Sequence, residues 1–213
     1  MKNIKIYGAG GHSKVIIDLA ENLGYTVSKV YDDFLDRSKD LLEVGTPDLC
    51  NDKEDFLSDN DPLIIAIGNN HTRAILAKNI KSRFGILIHP AAVVSKYATL
   101  GKGTVVNCGG IVQAGASIGE HVIINTGALV DHDTKIGDFV HVSPNVSLTG
   151  HVEIGEGTHI GAGAVVIPNV KVGKWCVIGA GAVIIRDVPD YAVVVGNPGR
   201  IIKTVCQLES GLA

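Results

Sequence analysis

The stretch "IVQAGASIGEHVIINTGALVDHDTKIGDFVHVS", Ile111 to Ser143, carries an aliphatic residue at every sixth position: Val112, Ile118, Ile124, Val130, Ile136 and Val142. The register extends in both directions without a slip. Upstream it takes in Val94, Leu100 and Val106, and downstream Leu148, Ile154, Ile160, Val166, Val172, Ile178 and Ile184. Four residues after these positions the chain prefers a small or β-branched residue, as at Ala98, Thr104, Gly110, Ala116, Ala128, Thr134, Ala164, Cys176 and Ala182. A period of six fits strand alternation and not the 3.6 residues of a helical turn, and the Gly and Asn residues at regular offsets supply corners. The segment is therefore expected to coil as a parallel β-solenoid. Three hexads close one triangular coil, giving about five coils with aliphatic residues stacked on one another.

The first ninety residues follow a different rule. "NIKIYG" reads as a buried strand, "GAGGHSK" as a glycine turn, His12 to Leu23 as a helix stopped by Gly24, and "TVSKVYDD" as a second strand ending in acids. "PLIIAIGNN" is a further buried strand running into a polar turn, Thr72 to Arg83 a helix, and "GILIHP" a last strand closed by proline. The expected organisation is a small Rossmann-like α/β domain with a parallel βαβ sheet over residues 1–90, an all-β solenoid over 91–196, and a capping tail over 197–213.

With 213 residues, 46% of them hydrophobic, the chain has ample material for a buried core. A net charge of -3 without a basic cluster argues against nucleic-acid binding. Cys50, Cys108, Cys176 and Cys206 lack the paired spacing of a zinc or redox site, which predicts free thiols in a reducing cytosol and no metal. The apolar run at the N-terminus is too short for a signal segment and no stretch is long enough to span a membrane. A cytoplasmic location without membrane insertion is the expectation.

Two local motifs carry chemistry. Gly8, Gly10 and Gly11, between a strand and a helix, let the backbone approach a ligand and aim amides at a phosphate. The dinucleotide fingerprint wants glycine where Ser13 stands, although Asp32 and Asp33 lie about twenty residues on, where such folds meet a ribose or base. A nucleotide-sugar site, a structural turn and a dinucleotide site all remain open on these residues. In the solenoid, His132 is bracketed by Asp131 and Asp133 near a corner. A carboxylate on one ring nitrogen fixes the tautomer and makes the other nitrogen a better proton acceptor, the arrangement of a general base.

"GAGGHSK", "YDD", "AIGNN" and "VDHDTKIGDFVHVS" together resemble the PglD/NeuD-like sugar O/N-acyltransferases, which are built on a left-handed β-helix of hexapeptide repeats. The likeness is strongest to the enzymes that N-acetylate UDP-4-amino sugars in the bacillosamine pathway, and it runs almost end to end. It implies an acetyl-CoA-dependent N-acetyltransferase acting on a UDP- or dTDP-linked amino sugar, with no acyl-enzyme and no metal. By the same resemblance His132 is the base and Asp133 orients it, and aspartate here replaces the glutamate of the bacillosamine enzyme. Gly10, Gly11, His12, Asp32, Asp33, Asn69 and Asn125 would meet the nucleotide sugar, with Asn125 near His132. His141 would lie against the thioester, and Gly150, Ala162 and Ala180 would line the coenzyme groove. Lys171, Lys174, Arg186, Arg200 and Lys203 could meet its phosphates or be solvated surface charge. The tail "VVVGNPGRIIK" departs from the family at Gly199, where alanine is usual.

Two alternatives to N-acetylation are O-acetylation of a sugar or sialic acid on the same scaffold, and a binding module without chemistry. A flank of one narrow coil is a surface and not a cleft, so a second chain is expected to supply the other wall. Closed symmetry around a three-sided solenoid predicts a homotrimer with active sites between subunits.

Overall fold

The structure is a computed structural model that describes residues 2–33, 48–50 and 61–204, the strand at 48–50 by its backbone alone. Cys206, the side chain of Cys50 and the tail beyond Thr204 lie outside the described residues, while Cys108 is a free exposed thiol and Cys176 a free buried one. The N-terminal unit comprises β1 (Lys2–Tyr7), α1 (Gly11–Asn22), β2 (Tyr25–Tyr31), β3 (Asp48–Cys50), β4 (Leu63–Ile65) and α2 (Asn70–Asn79). All four strands are parallel, in the order β3-β2-β1-β4. Parallel strands covered on both faces read as continuous apolar runs, and Ile4, Ile6, Leu63 and Ile64 have no exposed surface. Helix α2 begins two residues before the expected Thr72 and ends at Asn79, not Arg83. The side-chain oxygen of Asn69 accepts a hydrogen bond from the Thr72 amide at 2.9 Å, so the polar "GNN" turn opens the helix. At Ile80 the backbone becomes extended and the helix stops.

From Leu87 to Ile184 each hexad contributes a two-residue strand, and these strands stack in parallel on three faces. The first face carries Leu87–Ile88, Val105–Val106, Ile123–Ile124, His141–Val142, His159–Ile160 and Val177–Ile178. The second runs from Val93–Val94 to Val183–Ile184, and the third from Thr99–Leu100 to Lys171–Val172. Partners in adjacent coils lie eighteen residues apart, as in the pair of Ile124 with Val142. This is the parallel β-solenoid expected from the six-residue period, and the left-handed β-helix that the family resemblance implies. All the aliphatic residues from Val94 to Ile184 that keep the six-residue register belong to one interior column, Val94 and Leu100 being partly buried at its start. The segment "GILIHP" proves to be the first rung of the solenoid and not the last strand of the α/β sheet. Leu87 and Ile88 pair with Val105 and Val106, and Ile88 falls six residues before Val94, so the same register adds a coil.

Every sixth residue from Gly103 to Gly181 has a positive φ and turns one corner. Most are Gly, Asn or Asp, for which the left-handed conformation is least costly. His121, Phe139, His151 and Trp175 occupy the same position against that preference. The end of the solenoid is closed by Ala192–Val195, parallel to Val177–Ile178, and by Arg200–Thr204 returning antiparallel. Between them, a Cβ on Gly199 would lie 2.9 Å from the Ile184 side chain.

The N-terminal unit docks on the first face of the solenoid, where Leu87, Val105 and Ile123 complete the core around Ile4, Ile6 and Ile16. Arg73 of α2, only 1% exposed, joins the two parts. Its Nε donates to the carbonyl of His121, one terminal nitrogen to the carbonyl of Phe139 and to Asn70 Oδ1, and the other to the carbonyl of Ile67. Asn70 Nδ2 donates in turn to the carbonyl of Gly157.

Candidate active site

The corner between the second and third faces holds His132. The strand Leu129–Val130 points Val130 inward, and the following residues turn out to solvent. Asp131 Oδ1 accepts the His132 amide at 2.7 Å and fixes the start of the turn. Asp133 is in the left-handed conformation, φ 57°, which brings its carboxylate back to His132 Nδ1 at 2.8 Å. Glycines one coil away in each direction leave room for this pair. An added Cβ would approach His132 Nε2 within 2.6 Å at Gly150 and Asp133 Oδ1 within 2.4 Å at Gly115. The hydrogen bond to Asp133, assisted by the charges of Asp131 and Asp133, raises the His132 pKa above its ordinary value, and the bond to His132 lowers that of Asp133. An imidazole with Nδ1–H held by a carboxylate offers Nε2 as a proton acceptor.

His151, one coil beyond Asp133, stands edge-on to His132 with its Nε2 3.8 Å from Asp133 Oδ2. Among the described residues, His132, Asp133 and His151 are the set whose donor atoms could converge on a metal ion. His132 Nδ1 and Asp133 are engaged with each other there.

A second polar centre lies where the α/β sheet meets the first face. The strand order reverses between β1 and β4, and in open parallel sheets the crevice at such a switch point, beyond the carboxyl ends of the strands, receives ligands. Gly8 has φ 116°, and a Cβ there would meet the Ala66 carbonyl at 2.9 Å. At Gly10 and Gly11, by contrast, an added Cβ meets nothing within 4 Å, and the first amides of α1 have no side-chain cap. Asp32 is buried and its Oδ2 accepts the Ala9 amide at 2.6 Å, which holds the glycine turn in shape. Burial, with the neighbouring Asp33 and Asp32 carboxylates, pushes the Tyr7 hydroxyl up so that it stays protonated.

Behind the turn three histidines follow one another. The His12 ring centroid lies 6.3 Å from that of His141, which lies 5.0 Å from that of His159. Burial, reinforced by the Arg73 cation, lowers the pKa of His12 to about 4 and that of His159 in the same direction. Burial, with His159, Arg73 and His12 close by, lowers His141 to about 3. All three are neutral at physiological pH, and His132 alone is tuned toward proton uptake. Asn125 Nδ2 contacts His141 Nε2 at 3.1 Å.

The structure thus brings Gly10, Gly11, His12, Asn125 and His141 to one seam, with Asp32 and Asp33 at the end of the neighbouring strand β2. It places His132 and Asp133 on another corner. Asn125 follows a first-face strand and His132 a second-face strand, so within one chain Asn125 is beside His141 and not beside His132. The Asn69 side-chain oxygen is taken up by the cap of α2. Ala162 and Ala180 are exposed and stack one coil apart at the corner between first and second faces, whereas Gly150 lies under His132. An open groove of about 910 Å³ on the third face is lined by Lys135, Glu153, Lys171, Lys174 and Asp190. Its charges are matched internally, Glu153 lying 3.2 Å from Lys171 and 3.7 Å from Lys135, so it has little net pull on phosphates.

Sequence reasoning missed Arg73, Asn107, His151 and His159. For the last three the signal was present: Asn107 is eighteen residues before Asn125, His151 eighteen after Asp133 and His159 eighteen after His141, so one full coil stacks each pair. An arginine in a short helix carries no such mark.

Residues 3–80 match the PglD N-terminal domain, and residues 133–168 and 151–186 match the bacterial transferase hexapeptide (six repeats). UDP-N-acetylbacillosamine N-acetyltransferase of Bacillus subtilis (strain 168) is 43% identical over 108 residues, 48% of this chain and 50% of that enzyme. The matched stretch therefore spans about half the length of the curated relative. PerB from Caulobacter crescentus, solved in complex with CoA and GDP-perosamine, is similar over 95% of this chain and 98% of that one, with 36% identity and a TM-score of 0.87. The acetyltransferase domain of PglB from Neisseria gonorrhoeae, solved with acetyl coenzyme A, is similar over 94% and 99% of the two chains, with 36% identity and a TM-score of 0.83.

Proposed function

The chain belongs to the PglD-type family of hexapeptide-repeat sugar N-acetyltransferases, and from that premise we propose that it transfers the acetyl group of acetyl-CoA to the amino group of a nucleotide-linked sugar, with His132 as general base. One observation carries this reading: the His132–Asp133 pair, with Nδ1 held at 2.8 Å and glycine beneath the ring. Nε2 takes the proton as the amine adds to the thioester carbonyl, and the tetrahedral adduct collapses with cleavage of the C–S bond, the leaving thiolate receiving a proton. No side chain need become acylated. The nucleotide, UDP or dTDP, sits over Gly10, Gly11 and His12 with Asp32 and Asp33 beside it, Asn125 reaches toward the sugar, and His141 lies against the thioester. The α/β unit binds the nucleotide sugar, the solenoid from Leu87 onward carries the transfer, and the strand Arg200–Thr204 caps the coil.

The two polar centres are joined by assembly. Outward positions of the second face are Val93, Ile111, Leu129, Ser147, Val165 and Val183, almost wholly apolar. Those of the third face are Thr99, Ser117, Lys135, Glu153 and Lys171. An apolar flank on a soluble solenoid calls for a partner. Three second faces packed about a threefold axis bring the His132 corner of one chain against the Asn125, Ala162 and Ala180 corner of the next. The base of one subunit then faces the sugar held by its neighbour, with the coenzyme in the groove between.

Replacement of His132 by alanine is expected to lower kcat by about two orders of magnitude or more while folding and coenzyme binding persist. Near-normal release of thiol from acetyl-CoA by that variant removes His132 from the mechanism. Calorimetric titration with UDP, dTDP, GDP and CMP tests the nucleotide site, and an absence of binding to all four overturns it in favour of a free-sugar O-acetyltransferase.

A further inference from the structure

From the hydrogen bonds around Asn125 we infer that Asn107, a buried residue one coil before it, is a positioning residue that fixes His141 in its Nδ1–H tautomer through the Asn125 amide.

The backbone N–H of Thr126 can only donate, and it lies 2.8 Å from the Asn125 side-chain atom assigned as Oδ1. A flipped amide would set two donors against each other, so that atom is oxygen. Asn107 reaches the same oxygen at 3.1 Å and must therefore present its own Nδ2. The remaining end of the Asn125 amide is Nδ2, and it donates to His141 Nε2 at 3.1 Å. A ring nitrogen that accepts carries no proton, so the proton of the neutral ring resides on Nδ1. His141 is kept neutral chiefly by burial, which leaves no doubly protonated form to blur the tautomer.

Two consequences follow for the seam. His141 cannot act as a base through Nε2, whose lone pair is already used, so it serves as a fixed dipole and the proton falls to His132. The Asn125 amide is also held at both ends, which pre-orients the groups proposed to meet the sugar. Asn107 is 2% exposed, so it touches no solvent-borne ligand itself and acts through Asn125.

This inference rests on the proposed acetyl transfer only for its effect on rate, because the tautomer is read without substrate. The test is a two-bond proton–nitrogen spectrum of the full chain labelled with 15N-histidine, His141 being assigned by loss of its signals in His141→Asn. The wild type is expected to show a protonated Nδ1 and a bare Nε2 throughout pH 5.5–8. In Asn107→Asp the donor becomes an acceptor set against Asn125 Oδ1. That variant should shift His141 toward the Nε2–H form and lower kcat about tenfold, with the KM for acetyl-CoA unchanged. If it fails to fold, Asn107→Ser, too short to reach Asn125, removes one of the two donors that hold the Asn125 oxygen and should show a minor Nε2–H population beside the Nδ1–H form that the Thr126 amide still favours. An Nε2–H tautomer in the wild type overturns the whole relay. An unaltered Nδ1–H tautomer in the folded variant reduces Asn107 to a filler of space.

Discussion

At the scale of single residues, the His132 corner depends on a backbone conformation as much as on side-chain identity. Asp133 reaches back to Nδ1 because it stands at a left-handed corner, where aspartate is among the residues that bear a positive φ most easily. The hydrogen bond raises the His132 pKa, so the proposed base is protonated, and idle, up to a higher pH than a free imidazole would be. The acid limb of the kcat/KM profile should accordingly lie above pH 6.5, the ordinary histidine value. Asp133→Asn removes the carboxylate. Its acid limb should move down in pH, and the plateau should fall at least about tenfold because the tautomer is no longer enforced. A pH–rate profile of the two proteins decides this, and a limb that stays in place would show that Asp133 does not tune the base.

At the scale of elements, α2 couples the α/β sheet to the solenoid through one buried cation. Arg73 donates to carbonyls from both sides of the junction, and burial lowers its pKa to about 9. Arg73→Met preserves much of the volume and removes every one of those donors. The carbonyls of His121 and Phe139 then stay buried without this partner, a loss of about 3 kcal/mol or more for several charge-assisted bonds. We expect two resolved thermal transitions in place of one, with the N-terminal unit melting first while the solenoid remains folded. A single transition at the wild-type temperature contradicts the clamp. The rings around it, Phe84 against His121 and His121 stacked on Phe139, occupy the corner column in which Gly103 leaves space for His121.

At the scale of the whole molecule, the three faces of the solenoid have three destinies that their outward residues announce. The first is covered by the α/β unit, the third is a ladder of Lys and Glu, and the second is an apolar flank. Placing a charge on that flank tests the trimer. Val165→Glu changes an outward residue and leaves the inward column intact, so the chain should fold, run as a monomer in light scattering, and lose at least about 100-fold in transfer rate as the groove is lost. A monomer with full activity would mean that one chain completes the site.

The sequence by itself determined the solenoid, because a six-residue period is a local property. Each aliphatic residue must return to the interior after one side of the triangle, and residues eighteen apart must then stack. His132 with Asp133 was legible for the same reason, as adjacent residues at a corner of known offset, and so was the glycine turn after a buried strand. Whatever depends on packing between distant segments was not legible. That "GILIHP" serves the solenoid, that Asn125 belongs to His141, and that Arg73 locks α2 onto the coil were decided only when the sheet settled on the first face. A hydrogen bond between residues tens of positions apart leaves no period in the chain, and its partners are backbone carbonyls that every residue possesses.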